Sequence, residues 1–340
     1  MGDGLFSQIF DLLFTTSFAA SIFRVTTPIL FAALGGLIAR RCGIMNLALE
    51  GMMLTSALAG VVVSAYVRTA VLGGVMPADA AYEAVSGRAV AAGTAAGFLA
   101  GVLCSVLMGL FLAYMAVQLK ANIYLSGLAI NTIATGGTVF ALYLAAGEKG
   151  MSASLNSCTM PVVDIPIVKD IPIIGEIISG HNIMVYFALL CVPLVYYIVM
   201  RTSTGLRIRA VGENPNAAES VGVNVKKVQF QAMALSGLFC GFGGVSLSMG
   251  YVSFFSRGMT AGKGFIGMSA MNLGNATPIG TTVAAFLFGM FDAMANILQS
   301  LSVPSQFIAS IPYVATLIGL VVFAIQTERK TKKLKEKHSK

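Results

Sequence analysis

Long apolar stretches separated by short polar segments run through most of the chain. A helix that crosses a bilayer needs about 17 to 25 predominantly apolar residues. The stretches near that length are 22–39, 47–66, 89–113, 122–146, 183–200, 228–250, 279–300 and 306–326. Residues 5–20 are also apolar, and could lie in the membrane interface or form a further crossing. The pattern predicts an all-α, polytopic membrane protein with about eight to ten transmembrane helices.

Positive charge is concentrated in one set of the segments that connect these stretches. The segments concerned are 40–46, 114–121, 201–227 and the C-terminal tail 327–340, which carry 15 Lys and Arg residues against four Glu. Lys and Arg favour the cytoplasmic side of a membrane, so we expect these segments inside and the long loop 147–182 outside. The chain is therefore predicted to be one transmembrane domain, 1–326, with a basic cytoplasmic tail.

The predicted topology needs one crossing more than the long stretches supply. Between the cytoplasmic segment 201–227 and a cytoplasmic C-terminus, the chain must cross an even number of times, but only three long stretches lie there. A shorter apolar piece, 264–276, must then cross as a broken helix or re-enter the membrane. Broken helices occur near the midplane of transporters, at substrate sites.

The composition agrees with the membrane class and explains the charge. Hydrophobic residues make up 56% of the chain and charged residues 11%, whereas a soluble domain has about 25% charged residues. An ordinary cytosolic enzyme, a disordered regulator and a fibrous repeat are excluded. The net charge of +8 marks the cytoplasmic side, and the basic tail can touch anionic lipid. The tail has no interleaved aromatic residues, so nucleic acid is not an expected partner.

The longest of the predicted cytoplasmic segments, 201–227, has residues that are typical of helix starts and helix ends. Asn214 suits a helix N-cap and Pro215 the first helical position, and Gly222 then ends a short helix. A short capped helix on the cytoplasmic surface can dock a partner, or it can simply order a loop between two crossings. The spacing leaves both interpretations open.

Three segments resemble a known family. Residues 205–225 (GLRIRAVGENPNAAESVGVNV) look like the cytoplasmic coupling loop of ABC importer permeases, in the branch that handles simple sugars, nucleosides and branched-chain amino acids. Residues 34–53 (LGGLIARRCGIMNLALEGMM) and 258–267 (GMTAGKGFIG) are similar to the same branch, and most similar to its nucleoside-uptake permeases. Residues 270–279 depart from the family pattern.

The resemblance implies a mechanism and a set of partners. Two permeases, the second one expected to be a paralogue, form the pathway in a bacterial cytoplasmic membrane. A cassette ATPase docks on each coupling helix, and an extracytoplasmic binding protein or lipoprotein delivers the substrate. The positions that match the coupling motif are Gly212, Glu213, Asn214, Pro215, Ala217, Ala218 and Gly222. The two alanines would let the helix sit in a groove of the ATPase, and Glu213 could pair with a basic residue there.

The chain itself is not expected to be an enzyme or to hold a cofactor. The segment Gly258–Gly264 superficially resembles a phosphate-binding loop, but the spacing is wrong and a glycine stands where Ser or Thr would hold magnesium. It also lies at the outer side in the predicted topology. ATP and magnesium are therefore assigned to the partner ATPase, and no catalytic or metal-binding cluster is predicted.

Polar residues inside the apolar stretches are the remaining candidates. Asn46 and Glu50 are four residues apart and are predicted to share one helix face. A carboxylate at membrane depth usually faces the bundle interior or water. Glu50 is therefore either a gate or pathway group, or a structural cap that ties its helix to the turn at Arg40 and Arg41.

Two polar stripes are predicted on spanning helices. The first has Asp292, Asn296 and Gln299, and the second has Asn131, Thr135 and Thr138. Either stripe could line a translocation cavity that hydrogen-bonds a ribose or base, or could join neighbouring helices at about 0.6 kcal/mol per bond.

The sequence thus predicts the permease subunit of an ATP-driven importer, with nucleosides as the expected cargo. Two alternatives stay open. One is a permease of the same class for simple sugars. The other is an ion- or proton-coupled secondary transporter that would use Glu50 and Asp292 as its ion sites.

Overall fold

The computed structural model describes residues 15–72, 82–155, 157–166 and 174–299, and three helical positions beyond them, Val314, Leu317 and Val321. Segment 1–14, nearly all of the predicted crossing 306–326, and the tail 327–340 lie outside the described residues.

Eleven helices and one short hairpin make up the ordered elements of the described chain. The helices are α1 Thr16–Arg41, α2 Leu49–Val71, α3 Tyr82–Ala113, α4 Ile123–Ala146, α5 Ile174–Ile178, α6 Ile183–Arg201, α7 Ser203–Glu213, α8 Pro215–Ser220, α9 Val225–Val245, α10 Lys263–Leu273 and α11 Pro278–Leu298. Two of them continue as π-helical turns, α3 into Tyr114–Gln118 and α9 into Ser246–Tyr251. The strands β1 Val162–Val163 and β2 His181–Asn182 pair antiparallel.

Seven of the described helices are long and apolar enough to cross a membrane: α1, α2, α3, α4, α6, α9 and α11. They correspond to seven of the eight predicted long crossings, and the all-α, polytopic class is confirmed. The eighth long crossing falls outside the described residues. Helices α1 and α9 are the centre of the bundle, because 83% of the residues in the apolar stretch of each are buried. Helix α4 is peripheral, with 28% of its apolar stretch buried.

Glycines allow the central helices to approach closely. An added Cβ at Gly244 of α9 would overlap the carbonyl oxygen of Met53 in α2, and one at Gly97 of α3 would lie 2.7 Å from the Ser64 side chain. An added Cβ at Gly237 would lie 2.7 Å from the carbonyl oxygen of Ser105. Small residues at such contacts are typical of helix packing in lipid, so these three glycines are packing positions.

The two sets of connecting segments lie at opposite ends of the bundle. At one end, Arg41 Nε donates to the carbonyl of Ala276 over 2.6 Å, and Lys226 Nζ donates to Gln118 Oε1. At the other end, the described part of the loop that follows α4 contacts the spanning helices, where the Cys158 amide donates to Ser64 Oγ. The described members of the two sets thus lie at opposite ends, whereas the tail 327–340 lies outside the described residues.

The short apolar piece 264–276 is a broken helix, one of the two arrangements predicted for it. After α9, the chain pairs with the loop end of the bundle, where Ser256 forms a bridge with Met151. It then returns into the bundle without regular structure and becomes helical only at Lys263. Helix α10 has 11 residues, about 16 Å of rise against a hydrocarbon core of about 30 Å. It ends beside Ala276 at the opposite, basic end.

Candidate transport sites

The segment between α6 and α9 folds as two helices, α7 and α8, joined at Asn214. The Asn214 side chain accepts a hydrogen bond from the Ala217 amide over 3.1 Å, and Pro215 occupies the first helical position. Gly222 follows the helix with a φ of +83°, a conformation that glycine adopts without strain. The cap, the proline and the terminating glycine are therefore as predicted from the sequence.

Helix α8 has an inner and an outer side, and the two predicted alanines lie on different sides. Ala218 is buried in the chain's own apolar core, so it is not part of the outer surface on which we expected it. Ala217 and Glu213 are exposed. Val221, four residues after Ala217, is 79% exposed and was missed by the sequence reading. The feature that could have revealed Val221 is an apolar side chain four residues after Ala217 in an otherwise polar segment.

Gly212 seats this loop on the turn between α1 and α2. An added Cβ at Gly212 would overlap the Arg41 carbonyl oxygen and would lie 3.1 Å from the Gly43 amide nitrogen. Only glycine permits two backbones to come so close. Gly212 thus contacts its own chain, and it fixes the position of the outer surface of α7 and α8 relative to the bundle.

The predicted helix face shared by Asn46 and Glu50 does not exist. Helix α2 begins at Leu49, and Asn46 lies in the preceding irregular segment. The Asn46 side chain accepts from the Ala48 amide and donates to Ser236 Oγ over 2.9 Å. Because the side chain binds a backbone amide two residues ahead, it favours a turn at this position over a helix.

Glu50 caps the broken helix. Its two carboxylate oxygens accept hydrogen bonds from the amides of Gly262, over 2.9 Å, and Gly264, over 2.7 Å. These amides bracket the first residue of α10, where the helix dipole favours a negative group. Segment Gly258–Gly264 is therefore not confined to the outer face, because its last residues bind an anion of the chain itself inside the bundle.

The position of Glu50 is deep in the bundle. Gly264 packs on the Glu50 backbone, and one turn later Gly267 packs on Ile29 and Ala32. Ile29 and Ala32 lie in the middle of α1. A carboxylate at this depth is costly unless its oxygens are paired, and the two amides supply that pairing. Glu50 is a cap, but of α10: among the described residues its carboxylate oxygens bind these two amides and not the turn at Arg40 and Arg41.

The first polar stripe divides along α11. Asp292 is 9% exposed and its Oδ2 lies 3.3 Å from Lys263 Nζ, the residue between the two glycines that Glu50 binds. Asn296, one turn further, lines a cavity of about 250 Å³ that Lys263 and Arg24 also line. Gln299 is exposed outside that cavity. The structure thus brings Asp292 and Asn296 together around Lys263, which the sequence reading did not single out.

The second stripe divides along α4. The Asn131 side chain is buried, accepts from the Gly51 amide and donates to the Leu47 carbonyl, each over 2.8 Å. It joins α4 to the start of α2. Thr138 is buried as well, but Thr135 is exposed. At 3.6 residues per turn, Thr135 lies about 40° from Asn131 around the helix, which places it beyond the edge of the packed face.

The comparison with known protein families decides the class. The protein family described as "Branched-chain amino acid transport system / permease component" matches residues 18–326 of this chain. The chain belongs to this permease family. The match covers the whole bundle, including the coupling segment, so the family resemblance read from three short segments is confirmed.

Individual relatives cover nearly the full permease. The nucleoside ABC transporter permease NupC of Lactococcus lactis is 30% identical over 89% of this chain and 91% of its own length. The guanosine ABC transporter permease NupQ of Bacillus subtilis is 31% identical, over 87% and 88%. TsgC13 of Haloferax volcanii, named for a glucose ABC transporter, is 31% identical over 92% and 94%.

Two of these relatives have a second permease of the same name series in the same organism. NupB of Lactococcus lactis matches 44% of this chain at 30% identity, and NupP of Bacillus subtilis matches 44% at 29%. Relatives of this permease therefore occur beside a paralogous permease.

Proposed function

We propose that this permease forms, with a paralogous second permease, the translocation pathway of an ATP-driven nucleoside importer. A nucleoside cargo is proposed because two relatives, NupC and NupQ, match at least 87% of the chain and are named for nucleosides or guanosine. The observation that favours the second candidate, a monosaccharide, is the equally extensive match to the glucose-named TsgC13. An extracytoplasmic binding protein or lipoprotein and a cassette ATPase inside complete the proposed complex, with ATP and magnesium held by the ATPase.

The docking surface for the ATPase is the outer side of α7 and α8. Its exposed residues include Glu213, Ala217 and Val221, and Leu206 of α7 is 60% exposed. Exposed apolar side chains at the basic end of a membrane bundle would meet water unless a protein covered them. A small alanine beside Val221 leaves room for a groove of the partner to close over the helix, and Glu213 offers it a negative charge.

The second permease is proposed to face α4. Thr135 is exposed there, and Gly136 and Gly137 beside it have no atoms within 4 Å of an added Cβ. Glycines gain nothing from lipid, but they let another helix approach closely. A hydroxyl-bearing face between two permeases could also hydrogen-bond a passing nucleoside, which is the pathway role suggested for Thr135 from the sequence.

The basic end is proposed to be cytoplasmic, with the tail 327–340 on the same side. The support is the excess of Lys and Arg in segments that the fold brings to this end. Anionic lipid of the inner leaflet would then contact the tail.

The experiment uses the complex purified from native membranes and reconstituted in vesicles with the binding protein. An ATPase should co-purify with this chain, and labelled guanosine should enter only with ATP. Val221→Arg should remove most of the bound ATPase and uptake, because it places a charge in an apolar contact. Val162→Arg is the matched control, since Val162 is 64% exposed at the opposite end.

Two results would contradict the proposal. ATP-driven uptake of glucose but not of guanosine would select the second candidate. Guanosine uptake that follows a proton or sodium gradient without any ATPase would support the secondary transporter. That alternative assigned ion binding to Glu50 and Asp292, whose carboxylates contact two amides and Lys263, respectively.

A further inference from the structure

The α6–α11 recess lies between the end of α6 and the start of α11, at the basic end of the bundle. Its volume is about 480 Å³. Arg201 is the last residue of α6 and Pro278 the first of α11, so the recess lies where two spanning helices reach the same surface. The lining residues are Tyr196, Met200, Arg201, Thr277, Pro278 and Ile279.

The recess lies at the depth of the lipid headgroups. Helix α6 has 19 residues, a rise of about 28 Å that nearly matches the hydrocarbon core of about 30 Å. Its last residue, Arg201, therefore reaches the membrane surface, and Tyr196 lies about 7 Å deeper along the helix axis. Tyrosine is enriched at this level of membrane proteins. The guanidinium and the phenol hydroxyl thus offer hydrogen-bond donors at two depths of the interface.

The charge of the recess favours an anion. Arg201 is exposed, and in the described part of the chain no acidic residue lines the recess or forms an ion pair with Arg201. Arg41 brings a second positive charge close to the α11 side, because its Nε donates to the carbonyl of Ala276. The one acid of the neighbouring helix α7 is Glu213, which is exposed and is not part of the lining.

Exposed apolar faces lead from the recess towards the membrane interior. On α6, Leu194 and Leu190 stand seven and eleven residues before Arg201 and are 47% and 64% exposed. On α11, Val283 stands four residues after Ile279, and both are exposed. Residues at these spacings share one face of a helix. A headgroup held at Arg201 would therefore have apolar surface on both helices for its acyl chains.

We infer that the α6–α11 recess is a binding site for one anionic phospholipid. Its phosphate accepts hydrogen bonds from Arg201, and its acyl chains lie along α6 and α11. Basic pockets between transmembrane helices bind anionic headgroups in this way. A free phosphate has the same headgroup chemistry but makes no use of the apolar faces, so the lipid fits both features. The inference goes beyond the proposed function, because it concerns the surrounding lipid and not the cargo.

The test uses the full chain in lipid vesicles and measures which lipid contacts the recess. The chain contains no tryptophan, so Tyr197→Trp introduces a single fluorescent reporter, four residues before Arg201 on the same helix face. Phosphatidylglycerol, which is anionic, or phosphatidylcholine, which is zwitterionic, is added with brominated acyl chains that quench the reporter on contact. A separate chain with Phe140→Trp is the control reporter, because Phe140 is 64% exposed on α4, outside the recess.

We expect phosphatidylglycerol to bind at the Tyr197→Trp reporter about fivefold more strongly than phosphatidylcholine, and the two lipids to quench Phe140→Trp equally. Arg201→Gln, added to the Tyr197→Trp chain, should remove most of the preference. Arg207→Gln is the matched control and should keep it, since Arg207 is exposed on α7 outside the recess. Equal quenching by the two lipids at Tyr197→Trp, or an equal loss in both arginine variants, would overturn the inference.

Two variants of Ile279 separate the charge of the recess from its shape. Glu and Gln have nearly the same size, and a negative group is favourable in the first turn of a helix, so α11 should stay folded in both. Ile279→Glu should abolish the preference for phosphatidylglycerol, because it adds a negative charge to the lining, whereas Ile279→Gln should retain most of it. Thermal unfolding checks that both chains are folded. A full preference in the folded Ile279→Glu chain would contradict the assignment.

Soluble anions distinguish a lipid from a free phosphate. Glycerol 3-phosphate or inorganic phosphate at millimolar concentration should leave quenching by brominated phosphatidylglycerol unchanged, because neither has acyl chains to place on α6 and α11. Displacement of the lipid by either anion would assign the recess to a soluble ligand and overturn the lipid site. None of these measurements depends on guanosine uptake, so this inference and the proposed function can fail separately.

Discussion

Replacement of Glu50 by Gln tests whether this residue holds the broken helix or acts on the cargo. The carboxylate bridges two backbone amides on either side of Lys263, with oxygen–nitrogen distances of 2.9 and 2.7 Å. A glutamine side chain has one carbonyl oxygen, so it can satisfy only one of these amides. Its NH₂ group would face the other amide, donor against donor.

The expected loss of stability on replacing Glu50 by Gln follows from these two contacts. A hydrogen bond to a charged group contributes about 1.5–3 kcal/mol, and a negative group at a helix N-terminus adds about 0.3–1 kcal/mol. Losing one bond and the charge should therefore destabilise the bundle by about 3 kcal/mol. Because Gly264 packs directly on the Glu50 backbone, the loss should loosen α10 against α2.

The assay is thermal unfolding of the purified permease in lipid nanodiscs, together with ATP-driven uptake by the same preparations. Glu50→Gln should lower the apparent Tm by about 5 °C, and uptake should fall with the amount of folded complex. Glu50→Asp should also be destabilised, because its shorter side chain cannot reach both amides. Glu148→Gln is the control, since Glu148 is exposed just after α4 and should leave both measurements unchanged.

The reasoning would be refuted if Glu50→Gln unfolded at the same temperature as Glu148→Gln. If uptake were then lost from a fully stable complex, Glu50 would act on the cargo or on a coupling ion. That outcome would restore the pathway interpretation of this residue.

Three further predictions concern the contacts of the loops and of α4. Gly212→Ala should lower both the Tm and ATP-driven uptake, because an added Cβ overlaps a neighbouring carbonyl, whereas Gly87→Ala, with nothing within 4 Å, should change neither. Asn131→Leu leaves two buried backbone groups unpaired and should lower the free energy of unfolding by about 2 kcal/mol, so an unchanged denaturation curve would contradict its joining role. Burial raises the pKa of the Cys158 thiol, although Arg68 opposes the shift. The thiolate is therefore scarce at pH 7, and iodoacetamide should label Cys158 slowly until the pH is raised or the protein unfolds; rapid labelling at neutral pH would contradict this.

The spanning helices could be predicted because their signal is local. An apolar stretch of sufficient length must bury its backbone groups within itself in lipid, so its helical state depends on no distant residue. An additional short membrane piece at 264–276 was also predictable from parity and charge, although these left a broken crossing and a re-entrant piece as alternatives. The N-cap at Asn214 was equally local, because the cap bond joins residues three positions apart.

The polar positions were harder because their partners are distant in sequence. Glu50 binds amides more than 200 positions away, at Gly262 and Gly264, and nothing near it in the sequence reveals that helix N-terminus. Asn46 and Glu50 have helical spacing in an apolar segment, which is why a shared face was predicted. The actual turn is stabilised by the Asn46 contact with Ser236, 190 positions away. Spacing alone cannot distinguish these arrangements.

The same distant contacts form a continuous connection from the coupling loop to the cavity. Gly212 fixes α7 against Arg41, and Arg41 donates to Ala276 at the end of α10. At its other end, α10 is held by Glu50 and presents Lys263 to the cavity. Helix α10 is thus attached at one end to the turn on which α7 and α8 sit and at the other to the cavity that Lys263 lines. If the ATPase displaces the coupling loop, a rigid helix of about 16 Å can carry that displacement to Lys263, and Gly212→Ala and Glu50→Gln disturb opposite ends of this connection.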